Sequence, residues 1–600
     1  LWIPGDECPF FSTSMDYGLR IAVNTAVEMI GEFEAHNAGF EKAIWENVLG
    51  WPTVKWTCSA AKCAAHSLPR SLGKACLALD LPIKKDEVGR RVMMKMCKPR
   101  KATKNNQDKW HESPEDFETL YAYCKDDVRA ERALSKTLRS LNANETKVWQ
   151  LDQVINQRGI CVDMEAVESA IKISEDYITR MNSEMAKITG GVVSKISEVQ
   201  KLAKWAGVDS LAKAELSKAL KGELTDDVRT ALTLRQKAGK TSVAKYKKIV
   251  SAVSLDGRLR DQFMYHGAGT GRWAGKLVQT QNLPRNIYKA KDLDAHIANL
   301  KIGSLDNFEL CYPDVMGAIS SMIRPCIVPS EGSMLYGGDY SAIEARTLLW
   351  LAEDEDGLNV FRSGQDIYKD MACDIYDITY DNVTQLQRQL GKQAILGLGY
   401  GMGHVKFQQT CASYGIIISE DMAKKVVETY RRKYGKVKSM WYQQEAAAIE
   451  ALDTGEFVSC GKIGWGISGD FLYCKLPSKR LIAYPFPKMD IVETPWGDKK
   501  NSLTYMAVNA TTKKWEQTKT YGGKIIENFT QGVARDLMVE AMLRMEDNGY
   551  RTVMHTHDEI VAEKEEGDVG VFEKLMNESP SWAEGLPTAV EGWKNRRYIK

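Results

Sequence analysis

The spacing of apolar and polar positions changes several times along the chain. Between residues 115 and 140, Phe117, Leu120, Tyr121 and Cys124 fall at i, i+3, i+4 and i+7 and predict an amphipathic helix. Residues 141–260 are rich in Ala, Lys, Glu and Leu and predict an elongated, lysine-covered helical region. From about residue 261 glycines and aromatics increase, and strands and helices alternate. Met334 to Tyr336 is a short apolar run ending in two glycines, which predicts a buried strand; a helix carrying Leu348, Leu349 and Leu351 follows. Across Val553–Val561 two apolar runs flank a polar tip, predicting a β-hairpin with His557, Asp558 and Glu559 at its turn. Residues 502–523 alternate as strands do, beside a charged turn near Asp498, Lys499 and Lys500. The tract from Arg100 to Pro114 is almost without apolar residues and predicts a loop. No fixed-period repeat is visible.

Length and charge refine this picture. At about 150 residues per domain, 600 residues predict several units. Lys+Arg 81 against Asp+Glu 79 gives +2, which excludes a uniformly basic nucleic-acid binder but not a local basic surface. Between residues 232 and 260, Arg235, Lys237, Lys240, Lys245, Lys247, Lys248, Arg258 and Arg260 face only Asp256, a net of 8 − 1 = +7. Such a one-signed excess suits a phosphate backbone, and a solvated helix face is the plainer alternative. The thirteen cysteines are odd in number and form no C-x-x-C pair, which predicts buried, reduced thiols and a cytoplasmic location. No apolar run approaches the ~18 residues of a membrane span. The opening residues carry no secretory signal, and a start at Leu1 rather than Met leads us to expect a missing upstream segment.

Three segments carry candidate chemistry. Asp339 ends the predicted strand, where a carboxylate can ligate a metal; Ser341 and Glu344 have capping-box spacing, the structural alternative for both. Asp558 and Glu559 place two acids beside a core, which asks for a cation. His555 and His557 share a strand face and leave a zinc site as a rival, although no further histidines gather to complete it. Arg388, Lys392, Leu396 and Tyr400 are spaced by four and predict one stripe along a helix. Two cations, an apolar residue and an aromatic suit a nucleoside triphosphate laid lengthwise; an amphipathic helix is the alternative. The glycines after Leu396 do not form a dinucleotide fingerprint.

Together these segments resemble family A DNA polymerases. Residues 339–346 (DYSAIEAR) resemble motif A, Arg388-x3-Lys392-x7-Tyr400-Gly401 resembles motif B, and His557-Asp558-Glu559 resembles motif C. The 558 − 339 = 219 residues between the aspartates leave room for inserted fingers, and TGR (270–272), QNLP (281–284) and TQGVARD (530–536) also fit. The likeness spans about residues 140–600 and, with its abbreviated exonuclease region, is similar to phage-encoded members, some of which copy genomes containing 2-aminoadenine. It implies an α/β and α+β multidomain protein: a right-hand polymerase of palm, fingers and thumb behind an incomplete N-terminal RNase H-like 3′–5′ exonuclease domain. The implied boundaries are 1–140 exonuclease-like, 141–260 thumb, 261–350 palm with motif A, 351–527 fingers with an inserted β segment, and 528–600 palm with motif C.

The resemblance also implies roles. Asp339 and Asp558 would hold two Mg²⁺ ions ~3.5–4 Å apart, with Mn²⁺ able to substitute and Tyr340 lending a backbone carbonyl. Glu559 would act near the metals or the primer end. Arg388 and Lys392 would grip the dNTP phosphates, with Lys392 protonating pyrophosphate. Glu344 would exclude ribonucleotides, and Tyr400 would lie near the template base. Leu396 stands where Phe or Tyr is usual, and Tyr368 where His is usual, so both depart from the family pattern. Arg272, Gln281, Asn282, Gln531 and His557 would follow the minor groove of primer–template DNA. In the N-terminal region Asn37 and Glu41 resemble the second exonuclease motif, with Glu for Asp, and Tyr123 with Asp127 the third. Asp6 and Glu7 do not supply the first, so weak or no 3′ excision is expected. DNA and dNTPs are the expected partners, with no membrane, and phage origin would place the protein in the host cytoplasm. A ribonucleotide-using or reverse-transcribing relative is disfavoured by Glu344. A catalytically silent nucleic-acid binder is disfavoured by the intact acids and cations.

Overall fold

The computed structural model describes residues 23–25, 27–28, 32–82, 86–101, 109–239, 243–493, 497 and 499–600. Asp6, Glu7, Lys240, Asp498 and much of the polar tract after Arg100 lie outside the described residues. Near the N-terminus β1 (Glu32–Ala35) pairs in parallel with β2 (Lys55–Cys58), and α1 (Gly39–Asn47) connects them. The helix predicted over 115–140 is α2, Pro114–Thr137. Ser113 caps it and Pro114 opens it, where a missing N–H costs nothing. Its buried positions are Tyr123, Ala130 and Leu134, so the face is rotated from the predicted one, and Cys124 is exposed. Ala130 and Leu134 join Leu68, Leu72 and Cys76 in a small core with Phe471 and Tyr473. Cys97 and Cys311 are exposed too, against the expectation of buried thiols, and the described cysteines are all free.

The helical expectation for 141–260 holds in α3 (Ala143–Arg158), α4 (Met164–Ile188), α5 (Asp226–Ala238) and α6 (Ala244–Ala252). The basic stretch at 232–260 is partly paired. Arg258 is held by Glu563 at 3.0 Å, Arg260 by Asp256 at 2.6 Å and Lys247 by Glu175 at 2.6 Å. Lys245 donates to the carbonyls of Val278 and Gln279. Distant acids offset two charges of the +7, those of Arg258 and Lys247; Asp256 is already counted in it, and Lys245 fixes backbone while keeping its charge, so a basic excess remains.

The sheet that matters for function is antiparallel. Its centre includes β3 (Met334–Tyr340), followed by α7 (Ile343–Leu351), α8 (Ile367–Tyr376), α9 (Gln385–Leu398) and α10 (Gly435–Thr454). Residues 458–519 form two further antiparallel sheets, one of four strands and one of three, the latter holding the strands predicted around residues 502–523. Then come α11 (Gly522–Asp547), β4 (Arg551–His555), β5 (Glu559–Lys564), α12 (Val569–Asn577) and β6 (Val590–Asn595). The strand order is β4-β5-β3-β6. Gly337 is required at the centre: a Cβ there would sit 2.1 Å from the Trp593 ring that covers it from β6.

One buried network ties the helical region to this sheet. Arg535 on α11 bonds both Glu145 oxygens from α3, at 2.5 and 3.0 Å, and its Nε donates to the Gly271 carbonyl. Arg480 bonds Asp536 at 2.6 Å and donates to the Thr270 carbonyl. Burial would drive the Glu145 carboxyl up, but Arg535 and then Arg480 hold it at about 2. The folded value lies below the ordinary one, so this stabilisation is complete above pH ~4.5 and is lost as pH falls towards 2. Glu145→Ala takes from the buried Arg535 guanidinium its two-oxygen partner and leaves only Asp536, already shared with Arg480, at 3.2 Å; denaturant unfolding at pH 7 is expected to show a loss of about 3 kcal/mol, and a loss below ~1 kcal/mol would contradict this reading.

Candidate active site

Asp339 lies one residue from the end of β3, and its register partners are Glu559 on β5 and Glu591 on β6. Directly paired residues share a sheet face, so three acids line one row. The Tyr340 N–H donates to the Asp558 carbonyl at 2.9 Å and fixes the turn against β3. The hairpin forms as expected, with one correction: Glu559 begins the strand and is buried, while Asp558 precedes it. Burial, then the Asp339 charge, pushes the Asp558 carboxyl up to about 6. Burial pushes Glu559 up to about 7, opposed first by the Tyr598 hydroxyl, which donates to its Oε2 at 2.7 Å. The Lys600 ammonium lies 2.5 Å from Asp339 Oδ1. Crowded carboxylates with raised affinity for protons have the hard oxygen donors a divalent cation takes, so the residues fit one.

The second cluster is on α9. Thr384 and Gln387 form a capping box at its start. Arg388 and Lys392 stand over the Tyr368 ring of α8, at 5.3 and 5.8 Å. The helices pack closely here, since a Cβ on Gly391 would fall 2.1 Å from the Tyr368 carbonyl oxygen. Arg388 Nε donates to Asp366 at 2.5 Å, and Asp366 also caps α8. Leu396 is exposed on the same helix. Tyr400 is not on the helical stripe: α9 ends at Leu398, and the tyrosine lies in the turn beyond.

Glu344 links the 270–272 segment to the turn after α9. It accepts from Arg272 at 2.5 Å and from the Tyr400 hydroxyl at 3.4 Å. The capping box proposed for Ser341 and Glu344 does not form; Ala342, at φ +50°, occupies the cap position without a side-chain bond. The zinc alternative also fails. His555 is buried, stacked on Phe263 at 4.4 Å and edge-on to Trp273 at 4.7 Å, whereas His557 is exposed at the turn. Among the described residues no three His, Cys, Asp or Glu side chains gather as a metal cluster, so the acidic site offers a divalent ion the Asp339 and Asp558 carboxylates rather than a complete protein cage.

The comparisons with known proteins decide the family. A family model described as DNA polymerase family A matches residues 164–456. Over 589 residues the chain is 35% identical to a DNA polymerase of Bacillus phage SP02, covering 94% of this chain and 89% of that one. The chain belongs to DNA polymerase family A. It is also 24% identical over 311 residues to the thermostable DNA polymerase I of Thermus aquaticus, across 51% of this chain and 28% of that protein. Its fold is similar to the polymerase domain of Pol1 from M. smegmatis, solved with DNA primer-template and dNTP, with TM-score 0.57, 18% identity, and coverage of 94% of this chain and 86% of that one. The fold is therefore the mixed right-hand polymerase fold, the protein is an enzyme of template-directed DNA synthesis, and polymerases of this family depend on divalent metal ions. Among the described residues no helix is long and apolar enough to cross a membrane.

In this polymerase the residues expected to contact DNA are held by local bonds. Arg272 bonds Glu344, Gln281 Nε2 donates to the His555 carbonyl at 3.4 Å, and Gln531 Nε2 donates to Glu527 at 3.3 Å. Asn282 closes a short turn, Thr280–Asn282. In the N-terminal region Asn37 sits at φ +72° just before α1, and burial raises the Glu41 carboxyl. Tyr123 and Asp127 lie together on α2, and the tyrosine hydroxyl is raised by burial and then by Asp127. The acid on α2 that senses Glu41 is Glu131, one turn beyond Asp127 and pushed up to about 8 chiefly by burial. Glu131 accepts from Ser59, and Lys62 binds Glu34 nearby.

Sequence reasoning missed Asp366, Glu591, Tyr598, Lys600, Glu34 and Glu131. Only Glu131 carried a local signal, four residues after Asp127 on one helix face. The buried His555 ring yields a test. Burial, then Arg535, lowers its pKa to about 3, so the unfolded chain takes up a proton that the folded chain refuses, and stability falls as pH drops below ~6.5. Histidine NMR is expected to show this ring neutral at pH 5; protonation above pH 5 would contradict the packing described.

Proposed function

We propose that Asp339 and Asp558, with the Tyr340 carbonyl, hold the divalent ions of nucleotidyl transfer, Mg²⁺ in use and Mn²⁺ as a substitute. Support comes from the juxtaposition of the two carboxylates by the Tyr340–Asp558 backbone bond and the raised affinity of Asp558 for protons. When bound, such ions activate the primer 3′-hydroxyl and neutralise charge on the leaving pyrophosphate. The chain's own residues do the rest. Glu559, fixed by Tyr598, supports the charge balance beside the primer end. Arg388 and Lys392 project from α9 to meet the triphosphate, with Asp366 positioning Arg388. Lys392 donates a proton to the departing pyrophosphate. Glu344, anchored by Arg272, closes the space beside the sugar 2′ position, so dNTPs are preferred to ribonucleotides. Leu396 and Tyr368 line the nucleotide path, and Tyr400 lies at the template-base end.

In this reading 261–350 and 528–600 form the palm, 351–527 the fingers with the inserted β segment, and 141–260 the thumb. Primer–template DNA runs past Arg272, Gln281, Asn282, Gln531 and His557. The substrate pair is a DNA primer–template and dNTPs, and the setting is phage replication in the bacterial cytoplasm. The exonuclease-like residues Asn37, Glu41, Tyr123 and Asp127 give weak or no 3′ excision here, because Asp6 and Glu7 do not match the first motif; burial also raises the Glu41 carboxyl. The carrying observation for synthesis is the paired carboxylates. Asp339→Ala and Asp558→Ala are each expected to abolish primer extension with dNTPs while primer–template affinity stays within about two-fold in a binding titration. Extension that survives either change would overturn the assignment.

A further inference from the structure

The segment after β6 returns to the acidic row and is bonded at almost every residue. Arg597 donates to Asp294 at 2.7 Å, to Asp163 at 3.1 Å and to the Pro325 carbonyl at 3.0 Å. The Tyr598 N–H donates to the Ile327 carbonyl at 3.0 Å, and the Arg324 guanidinium lies 5.3 Å from its ring centre. Asn286 donates to the Ile599 carbonyl at 3.4 Å and Arg324 to the Lys600 carbonyl at 2.6 Å. The backbone is thus pinned up to Lys600, and the lysine side chain alone extends to Asp339, 2.5 Å from Oδ1. Asp558 and Glu559 adjoin Asp339 through the Tyr340–Asp558 backbone bond and the β3–β5 register, so the ammonium stands among three carboxylates. One ammonium therefore offsets the repulsion of three carboxylates.

The pair is reachable by solvent, with side-chain exposures of 40% for Lys600 and 27% for Asp339. It is therefore an exchangeable contact rather than a core ion pair. A lysine carries its charge on a flexible four-carbon stem, so the ammonium can leave Asp339 while the pinned backbone stays in place. An arriving divalent ion needs the oxygen that this ammonium holds.

We propose that Lys600 is a built-in counter-ion for the acidic row and competes with divalent cations for Asp339. This rests on the reading of Asp339 and Asp558 as metal ligands. The enzyme alone then binds metal more weakly than its acids would permit, and occupancy rises when a triphosphate brings further oxygen ligands. Lys600 is a positioning and specificity residue here, not a catalytic one.

The test is Mn²⁺ binding by the full chain without DNA or nucleotide, followed through the electron paramagnetic resonance of free Mn²⁺. Lys600→Gln is expected to bind Mn²⁺ roughly two- to five-fold more tightly than the unaltered chain, the scale of a part-exposed ion pair, and Lys600→Arg to match the unaltered chain. Asp339→Ala is expected to lose this binding. Equal or weaker affinity in Lys600→Gln, with binding still lost in Asp339→Ala, overturns the role of Lys600 alone. Binding unchanged in Asp339→Ala overturns the metal-ligand reading and this proposal with it.

Discussion

Carboxylates gathered at one end of a sheet repel one another, and the architecture around residues 334–340 serves to keep them there. Asp339 is carried by a central strand whose position depends on Gly337 lying beneath the Trp593 ring. Asp558 is tied to that strand by the Tyr340 N–H, and Glu559 is buried opposite Asp339. The repulsion is visible in the upward displacement of Asp558 and Glu559, both driven first by burial. A cation relieves it: the Lys600 ammonium in the structure described, and divalent ions in the reaction of a family A polymerase.

A second constraint aligns the surroundings with that row. The Glu145–Arg535 pair and the Arg480–Asp536 pair send donors to the Gly271 and Thr270 carbonyls. The next residue, Arg272, then reaches Glu344, which also accepts from Tyr400. The helical region, the 270–272 segment, Glu344 and the turn after α9 are thereby connected through a short run of polar groups. Such a run holds geometry well because any member left unpaired in the interior is costly.

Where local period decides structure, the sequence was readable. The strand at 334–340, the hairpin around Asp558 and helix 385–398 follow from apolar runs, turn residues and four-residue spacing. The acids and cations of the site were named from their motifs. What the sequence hid were contacts between distant segments. Lys600 meets Asp339, Asp366 meets Arg388, and Arg258 meets Glu563 without any local pattern that joins them. The same blindness hid the acids that meet Arg258 and Lys247 in the 232–260 stretch. The alternative capping box of Ser341 and Glu344 does not form because the helix starts one residue later, with Ala342 as its cap, and Glu344 instead accepts from Arg272, 72 residues away.

The central claim is that Asp339 and Asp558 hold the reaction's metal ions, and affinity cleavage maps such ions directly. Fe²⁺ exchanged into the polymerase and treated with peroxide cuts the backbone beside the sites it occupies. The account predicts cuts near residues 339 and 558, suppressed by excess Mg²⁺ and absent in Asp339→Ala. Cuts confined to other segments, or cuts at both positions that persist in Asp339→Ala, would contradict it.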